Sequence, residues 1–164
     1  MRETICYLQI YREQFMNKKL DWFNNVEDRP HPWPGLNWLT ATLIIKNVKQ
    51  ATEFYENVFG FVTIFELPSI QNDKELDFAR MRYRGCNFII NREGCFNFNG
   101  KQPTNETPPI IFYVYVDDVE HLALNAKNNG CLILEEPHLE FWGDKKTRLK
   151  DPFGYIWDFA TKMK

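Results

Sequence analysis

An excess of charge of one sign is missing from this sequence, and so is any long apolar run. The 20 lysines and arginines nearly balance the 22 acidic residues, for a formal net charge of −2, so no broad basic field would attract nucleic acid or an anionic membrane. No window approaches the ~18 consecutive apolar residues of a membrane-spanning helix. The first residues, with Arg2, Glu3 and Arg12, lack a signal-peptide pattern. We therefore expect a cytoplasmic protein that binds neither nucleic acid nor membranes.

Paired cysteines and catalytic signatures are lacking as well. The chain has no CxxC pair, and scattered cysteines favour reduced structural thiols over a disulfide framework or a zinc site. The sequence contains no GxSxG motif, no Cys and His pairing and no glycine-rich phosphate loop, which argues against nucleophilic hydrolases and nucleotide-binding enzymes. The histidines are few: His31, His121 and His138.

Aromatic residues, in contrast, are abundant. The chain contains 14 Phe, 7 Tyr and 5 Trp, which make up 16% of the sequence. Aromatic side chains fill cores, and they also line apolar ligand pockets. Before any site is identified, the abundance favours a phenylalanine-rich core over a pocket.

The first 35 residues form a leader and a proline-rich linker. Apolar residues recur at nearly helical spacing, which predicts an amphipathic helix, with a short strand in "TICYLQIY" as the alternative. These residues are Ile5, Leu8, Tyr11, Phe15 and Leu20. We expect apolar side chains of the leader to pack on the domain or on a dimer partner, since an isolated helix of this length is marginal in water. "RPHPWPG" places three prolines within five residues and ends the leader.

Residues 36–164 then contain a long internal repeat. "LIIKNVKQATEFYENVFGFVTIFE" (43–66) and "VYVDDVEHLALNAKNNGCLILEE" (114–136) both predict a strand, a polar turn, an amphipathic helix, a glycine and a strand. Three anchor pairs keep almost constant spacing: Val48 and Val119 are 71 residues apart, Gly60 and Gly130 are 70 apart, and Gly85 and Gly154 are 69 apart. A period of about 70 exceeds that of solenoid repeats and predicts two βαβββ modules in one domain, at 38–92 and 110–162.

Alternation along the strands predicts which face of each sheet contacts the helices. The helix-facing set is apolar: Leu43, Ile45, Phe88, Ile90, Phe112, Val114, Val116, Trp157 and Phe159. The opposite set is partly polar: Thr40, Thr42, Ile44, Asn87, Ile89, Ile111, Tyr113, Tyr115 and Asp158. If the paired modules curl into an incomplete barrel, this second set lines a cleft and Asp158 points into it.

Three stretches of the sequence resemble a known family. "TATLIIKNVKQATEFYENVFGF", "YVDDVEHLALNAKNNG" and above all "FWGDKKTRLKDPFGYIWDFAT" are similar to the vicinal oxygen chelate superfamily, in its glyoxalase/bleomycin resistance/dioxygenase group. The resemblance covers residues 38–162. It implies an α+β fold in which paired βαβββ modules form an incomplete barrel with a U-shaped cleft, commonly in a homodimer.

The resemblance also implies where a metal would bind, because metal-dependent relatives take His, Gln or Glu ligands from the first and last strand of each module. The matching residues in this chain are Thr40, Ile89, Ile111 and Asp158, of which only Asp158 is a good ligand. Phe78 stands where one subgroup has a histidine, and no histidine falls on a ligand position. We therefore expect no cofactor, and a divalent metal at Asp158 remains the alternative.

Two functions follow from the resemblance. The first is a metal-independent protein that binds an aromatic or amphipathic small molecule, and the second is a metal-dependent lyase, isomerase or dioxygenase-like enzyme. The candidate ligand-binding residues are Thr40, Phe78, Arg80, Ile89, Ile111, Tyr113, Tyr115, Trp142 and Asp158. Trp142 either shapes a turn over the cleft mouth or packs in the core.

Charged residues of the expected cleft set its ligand preference. Asp158 is predicted to be its single acidic group, selecting cationic or hydrogen-bond-donating ligands, and replacement of Asp158 by asparagine is expected to leave the fold intact. Arg80 and Arg82 are expected on the cleft side, where they pair with Asp158 or with an anionic ligand, or are simply solvated. His138 is predicted in a loop.

Overall fold

Two similar halves make up the part of the chain that the computed structural model describes, which is residues 35–96, 99–104 and 108–163. The first contains β1 (Thr42–Ile45), α1 (Val48–Phe59), β2 (Val62–Pro68), β3 (Leu76–Tyr83) and β4 (Cys86–Arg92). The second contains β5 (Ile111–Tyr115), α2 (Val119–Asn128), β6 (Leu132–Leu139), β7 (Asp144–Lys150) and β8 (Ile156–Lys162). The predicted leader lies outside the described residues.

Both halves have the same sheet topology. The strand orders are β1-β4-β3-β2 and β5-β8-β7-β6. In each half the first and last strands pair in parallel, and the remaining pairs are antiparallel. The predicted α+β fold of duplicated βαβββ modules is thereby confirmed, and across the described ranges the strands form two sheets rather than a closed barrel.

Local sequence signals fix the ends of the two helices. The side chain of Asn47 accepts a hydrogen bond from the backbone N–H of Gln50 and begins α1, and Asp118 does the same for His121 at the start of α2. Gly60 ends α1 at φ 71°, a conformation that glycine adopts without steric cost. Among the described residues, no helix has the length and apolar character needed to cross a bilayer.

The helix-facing sides of both sheets pack into one aromatic core. Trp157 and Phe159 of β8 are buried against Tyr55 and Phe59 of α1 and against Phe61. All nine residues of the predicted helix-facing set belong to this core or pack against it, so the predicted alternation is confirmed. The abundance of aromatic residues is therefore explained largely by packing.

The turn before β8 joins the two halves. The buried carboxylate of Asp151 accepts hydrogen bonds from Tyr55 Oη at 2.7 Å and Trp157 Nε1 at 2.8 Å. It also accepts from the backbone N–H groups of Phe153 and Tyr155, both at 2.9 Å. A Cβ at Gly154, whose φ is 93°, would lie 2.6 Å from a backbone oxygen, so this turn requires glycine. One carboxylate thus connects α1 of the first half to β8 of the second.

Two predicted positions differ from the structure. Thr40 precedes β1, which begins at Thr42, because the chain bends at Trp38 and Leu39. Its hydroxyl donates to the backbone carbonyl of Asn37 at 3.4 Å. His138 belongs to β6 rather than to a loop, since this strand continues through Pro137 to Leu139 at the edge of its sheet.

Candidate ligand-binding site

The helix-free face of each sheet, meaning the face opposite its helix, carries most of the candidate site residues, whereas Thr40 precedes β1 and Trp142 lies between β6 and β7. On the second sheet, Tyr113 of β5 lies beside Asp158 of β8, and Tyr115 lies beside Ala160. Ile111 begins the same strand and is partly exposed. On the first sheet, Arg80 of β3 lies beside Ile89 of β4, and Phe78 precedes Arg80 by two residues. The predicted alternation therefore places these residues on the expected faces.

Three aromatic side chains of the second half converge on one carboxylate oxygen. Tyr113 Oη, Tyr115 Oη and Trp142 Nε1 all donate to Asp144 Oδ2, at 3.1, 2.7 and 2.9 Å. Asp144 is only 1% exposed, whereas the three aromatic residues are 43%, 51% and 44% exposed. We call Tyr113, Tyr115 and Trp142 the aromatic shelf. The rings of the shelf are partly exposed to solvent, whereas its two hydroxyl groups and its indole N–H are hydrogen-bonded to the buried Asp144.

The electrostatics of Asp144 favour its ionised form. Burial alone would raise the pKa of Asp144, but the hydrogen bonds from Tyr115, Trp142 and Tyr113 outweigh burial and hold this pKa below its ordinary value. The hydrogen bond to Asp144, together with burial, raises the pKa of Tyr115 to about 12. At neutral pH the tyrosine hydroxyls therefore remain donors and the carboxylate remains the acceptor.

Acid titration of Asp144→Asn tests this arrangement. Because the pKa of Asp144 is lower in the folded chain than in the unfolded one, ionisation of Asp144 stabilises the fold above its ordinary pKa of 3.8. This stabilisation is lost as the pH falls through the folded-state pKa. We expect the stability difference between wild type and variant, measured by urea unfolding, to shrink as the pH falls from 3.8 through the folded-state pKa of Asp144. A constant difference would contradict the assignment. Asp117→Asn, at an exposed carboxylate, is the matched control.

Asp158 is buried in an ion pair rather than open to a ligand. Arg148 of β7 donates to both of its carboxylate oxygens, from Nε at 2.7 Å and from Nη2 at 2.8 Å, and Lys146 Nζ lies 3.8 Å away. Asp158 is 4% exposed. Its partner is the residue opposite on the neighbouring strand, so the expected pairing of Asp158 with Arg80 or Arg82 is wrong.

Further carboxylates on the second half belong to the same charged network. Glu135 accepts from Lys146 Nζ at 2.7 Å and from Arg148 Nη1 at 3.1 Å, and the hydrogen bond from Lys146 lowers the pKa of Glu135. Glu140 lies 3.3 Å from Lys146 Nζ. Asp158 is therefore not the single acidic group of this face. Alternation in "DKKTRLK" puts Lys146 and Arg148 on one face of β7, but only the strand register places Arg148 opposite Asp158.

The residues at the family's metal positions do not fit a divalent cation. Ile89 and Ile111 have hydrocarbon side chains, the Thr40 hydroxyl donates to a backbone carbonyl, and both oxygens of Asp158 are bound to Arg148. Within the described ranges, no three His, Cys, Asp or Glu side chains are grouped closely enough to hold a metal. Because a protein site must replace most of the water shell of the ion, this donor set cannot bind a metal tightly.

The two described histidines lie away from the family's metal positions. His121 is exposed in the first turn of α2. His138 Nδ1 lies 2.9 Å from the carbonyl oxygen of Glu136, and its Nε2 lies 3.4 Å from Glu140. His31 lies outside the described residues. Neither of these imidazoles can therefore replace the metal ligand that is missing at Ile89 or at Ile111.

Comparison with known proteins agrees with the fold. The family model of the Glyoxalase/Bleomycin resistance protein/Dioxygenase superfamily matches residues 35–159. The chain belongs to this superfamily. It is 25% identical over 129 residues to an uncharacterised protein of Mycobacterium bovis, covering 77% of this chain and 84% of that protein. An uncharacterised protein of Mycobacterium tuberculosis H37Rv is also 25% identical over 129 residues, with 77% and 75% covered.

Solved structures show the same fold at low sequence identity. TioX from Micromonospora sp. ML1 is similar with a TM-score of 0.62 and 19% identity, covering 77% of this chain and 99% of that one. A glyoxalase/bleomycin resistance protein/dioxygenase family enzyme from Burkholderia phytofirmans PsJN has a TM-score of 0.63 and 16% identity, covering 76% and 97%. At such identities the likeness establishes the fold alone.

Proposed function

We propose that this protein binds an aromatic or amphipathic small molecule without the help of a metal ion. The binding site is the cleft that, in this superfamily, the paired modules form. The main support for the proposal is the aromatic shelf, whose rings are exposed and whose hydroxyl and indole N–H groups already donate hydrogen bonds to Asp144. Such a surface suits a flat apolar ligand, because stacking on it leaves the hydrogen bonds to Asp144 intact.

The rigidity of the shelf supports a binding role. Tyr113 and Tyr115 also contact each other, with ring centroids 5.4 Å apart. Their side chains lose rotational freedom when the protein folds, so little further entropy is lost when a ligand binds. Asp144 is thus a positioning residue, which acts on the ligand through the three aromatic side chains.

The donor set makes the enzyme alternative less favourable. A metal-dependent lyase, isomerase or dioxygenase needs several ligands around one ion, and the side chains at the corresponding positions are two isoleucines, one threonine and an aspartate bound to arginine. We therefore propose ligand binding rather than metal-dependent catalysis for this chain.

The proposal includes a cytoplasmic homodimer, as is common in this superfamily. Strand β6 lies at the edge of the second sheet, and its Leu132, Leu134 and Leu139 are 61%, 44% and 67% exposed. Exposed leucines on an edge strand support contact with a second copy, because an uncovered apolar edge favours association.

Calorimetric titration with 2-naphthamide, a neutral flat aromatic, tests the role of the shelf. In the presence of excess EDTA we expect Trp142→Ala to weaken binding by about tenfold, the effect of losing ~1.4 kcal/mol of ring contact. Leu124→Ala removes an exposed apolar side chain from α2, away from the shelf, and serves as the control. Equal affinities of Trp142→Ala and wild type would contradict a binding role for the shelf.

A further inference from the structure

Two arginines on the first sheet have an unusual charge environment. Arg80 and Arg82 of β3 alternate with Ala79 and Met81, which are fully buried in the core, so both guanidinium groups emerge on the helix-free face. Residues two apart on a strand are separated by about 7 Å. The two arginines therefore form a short row of positive charge along one strand.

Among the described residues, the hydrogen-bond acceptors of both arginines are neutral. Arg80 Nη1 donates to Asn87 Oδ1 at 3.0 Å, and Arg82 Nη2 donates to the backbone carbonyl of Gly35 at 2.6 Å. Arg82 Nε is buried and has no acceptor in the part of the chain that the structure describes.

The other arginines within the described ranges have carboxylate partners. These pairs are Arg84 with Asp117, Arg92 with Asp77, and Arg148 with Asp158 and Glu135. Arg80 and Arg82 alone, in this part of the chain, lack one. A guanidinium group can bind a carboxylate through two parallel hydrogen bonds. Arg80 and Arg82 therefore have N–H groups available to bind an anion.

On the β2 side, the cross-strand neighbours of the pair are apolar. Phe65 of β2 is paired with Arg80, and Val62 is paired with Arg82. Phe65 and Val62 are 56% and 58% exposed, and the ring of Phe65 lies 5.9 Å from that of Phe78. Apolar neighbours strengthen a charge-assisted hydrogen bond, because they exclude water and lower the local dielectric. The face thus combines apolar contact area with two cationic groups.

We propose that Arg80 and Arg82 bind the carboxylate of an aromatic acid, so that the natural ligand of the cleft is an amphipathic anion. This inference rests on the proposed function and adds the charge of the ligand to it. The carboxylates of the second sheet do not compete, because Asp158 and Asp144 already face Arg148 and Lys162. Asp158, which the sequence suggested would select a cationic ligand, is buried with both oxygens bound to Arg148.

The test compares 2-naphthoate with 2-naphthamide, which share the ring system and differ in charge. By calorimetry, wild type should bind the naphthoate about tenfold more tightly. This ratio should fall to near one in Arg80→Gln/Arg82→Gln, because the naphthoate loses a charge-assisted contact and the naphthamide loses at most a neutral hydrogen bond. It should fall partly in Arg80→Gln alone, which spares the contact of Arg82 with Gly35. Arg84→Gln removes the same charge from an arginine paired with Asp117 and should keep the wild-type ratio.

Every other outcome overturns the inference, and the pattern of affinities shows whether the proposed function fails with it. Equal affinities of wild type for both compounds refute anion selection and leave aromatic binding standing, whereas binding of neither compound refutes both. A preference that persists in the double variant, or that falls equally in Arg84→Gln, excludes a specific role for the pair. If the double variant instead loses a concentration-dependent dimer seen in wild type, the arginines bind a second copy of the chain rather than a ligand.

Discussion

Replacing Asp151 with asparagine is expected to lower the free energy of unfolding by about 3 kcal/mol. The carboxylate accepts four hydrogen bonds, from Tyr55 and Trp157 on one oxygen and from two backbone N–H groups on the other. The amide nitrogen of asparagine cannot accept, so either orientation of the side chain leaves buried donors without partners. Each unsatisfied donor costs roughly 1 to 3 kcal/mol.

Urea unfolding of Asp151→Asn and wild type measures this effect. Asp117→Asn provides a control at an exposed aspartate and should change the free energy by less than about 0.5 kcal/mol. If Asp151→Asn were as stable as the control, the turn at 151–154 would not connect the two halves in the way that the structure indicates.

Replacing Asp158 with asparagine is expected to cost about 3 kcal/mol of stability, although the sequence alone suggested an intact fold. Asparagine keeps the size of the side chain but removes the charge that faces Arg148 at 2.7 and 2.8 Å. It also leaves Lys146, whose side chain is 5% exposed, with one fewer carboxylate nearby. Charges buried in this way are costly once a partner is lost.

A double-mutant cycle isolates the contact between these two side chains. Asp158→Asn/Arg148→Gln should be less destabilising than the sum of the single variants, with a coupling of about 1 to 3 kcal/mol. Glu135 still accepts a hydrogen bond from Lys146 in all four proteins of the cycle, so the measured coupling reports on Asp158 and Arg148. Additive effects would contradict a direct ion pair.

The sequence predicted the fold well because two patterns, the repeat of about 70 residues and the alternation of apolar residues along the strands, follow directly from duplication and from burial of one sheet face. A spacing of about 70 residues between Val48 and Val119, or between Gly60 and Gly130, follows from duplication of a whole module. Burial of one sheet face then fixes the strand register, since a slip by one residue would expose Trp157 and Phe159 to solvent. Both residues are buried in the structure.

The polar side of the site was less predictable because it depends on pairing across strands. "DKKTRLK" has the composition of an exposed strand, yet Asp144 and Lys146 are 1% and 4% exposed. Their burial follows from contacts with Tyr115, Trp142 and Glu135, which lie on other strands or in a turn. Sequence spacing alone does not show that Arg148 lies opposite Asp158, and this pairing removes the open carboxylate that the sequence suggested.

The most direct test of the account compares 2-naphthamide binding to metal-free protein with binding after saturation by zinc, manganese, nickel or iron. Calorimetry on wild type should give the same affinity in every case, and elemental analysis after dialysis should find no metal retained in stoichiometric amount, since the side chains at the family's metal positions do not fit a cation. Naphthamide binding that requires a metal, with one ion retained per chain and lost in Asp158→Asn, would contradict the account and restore the metal-dependent enzyme.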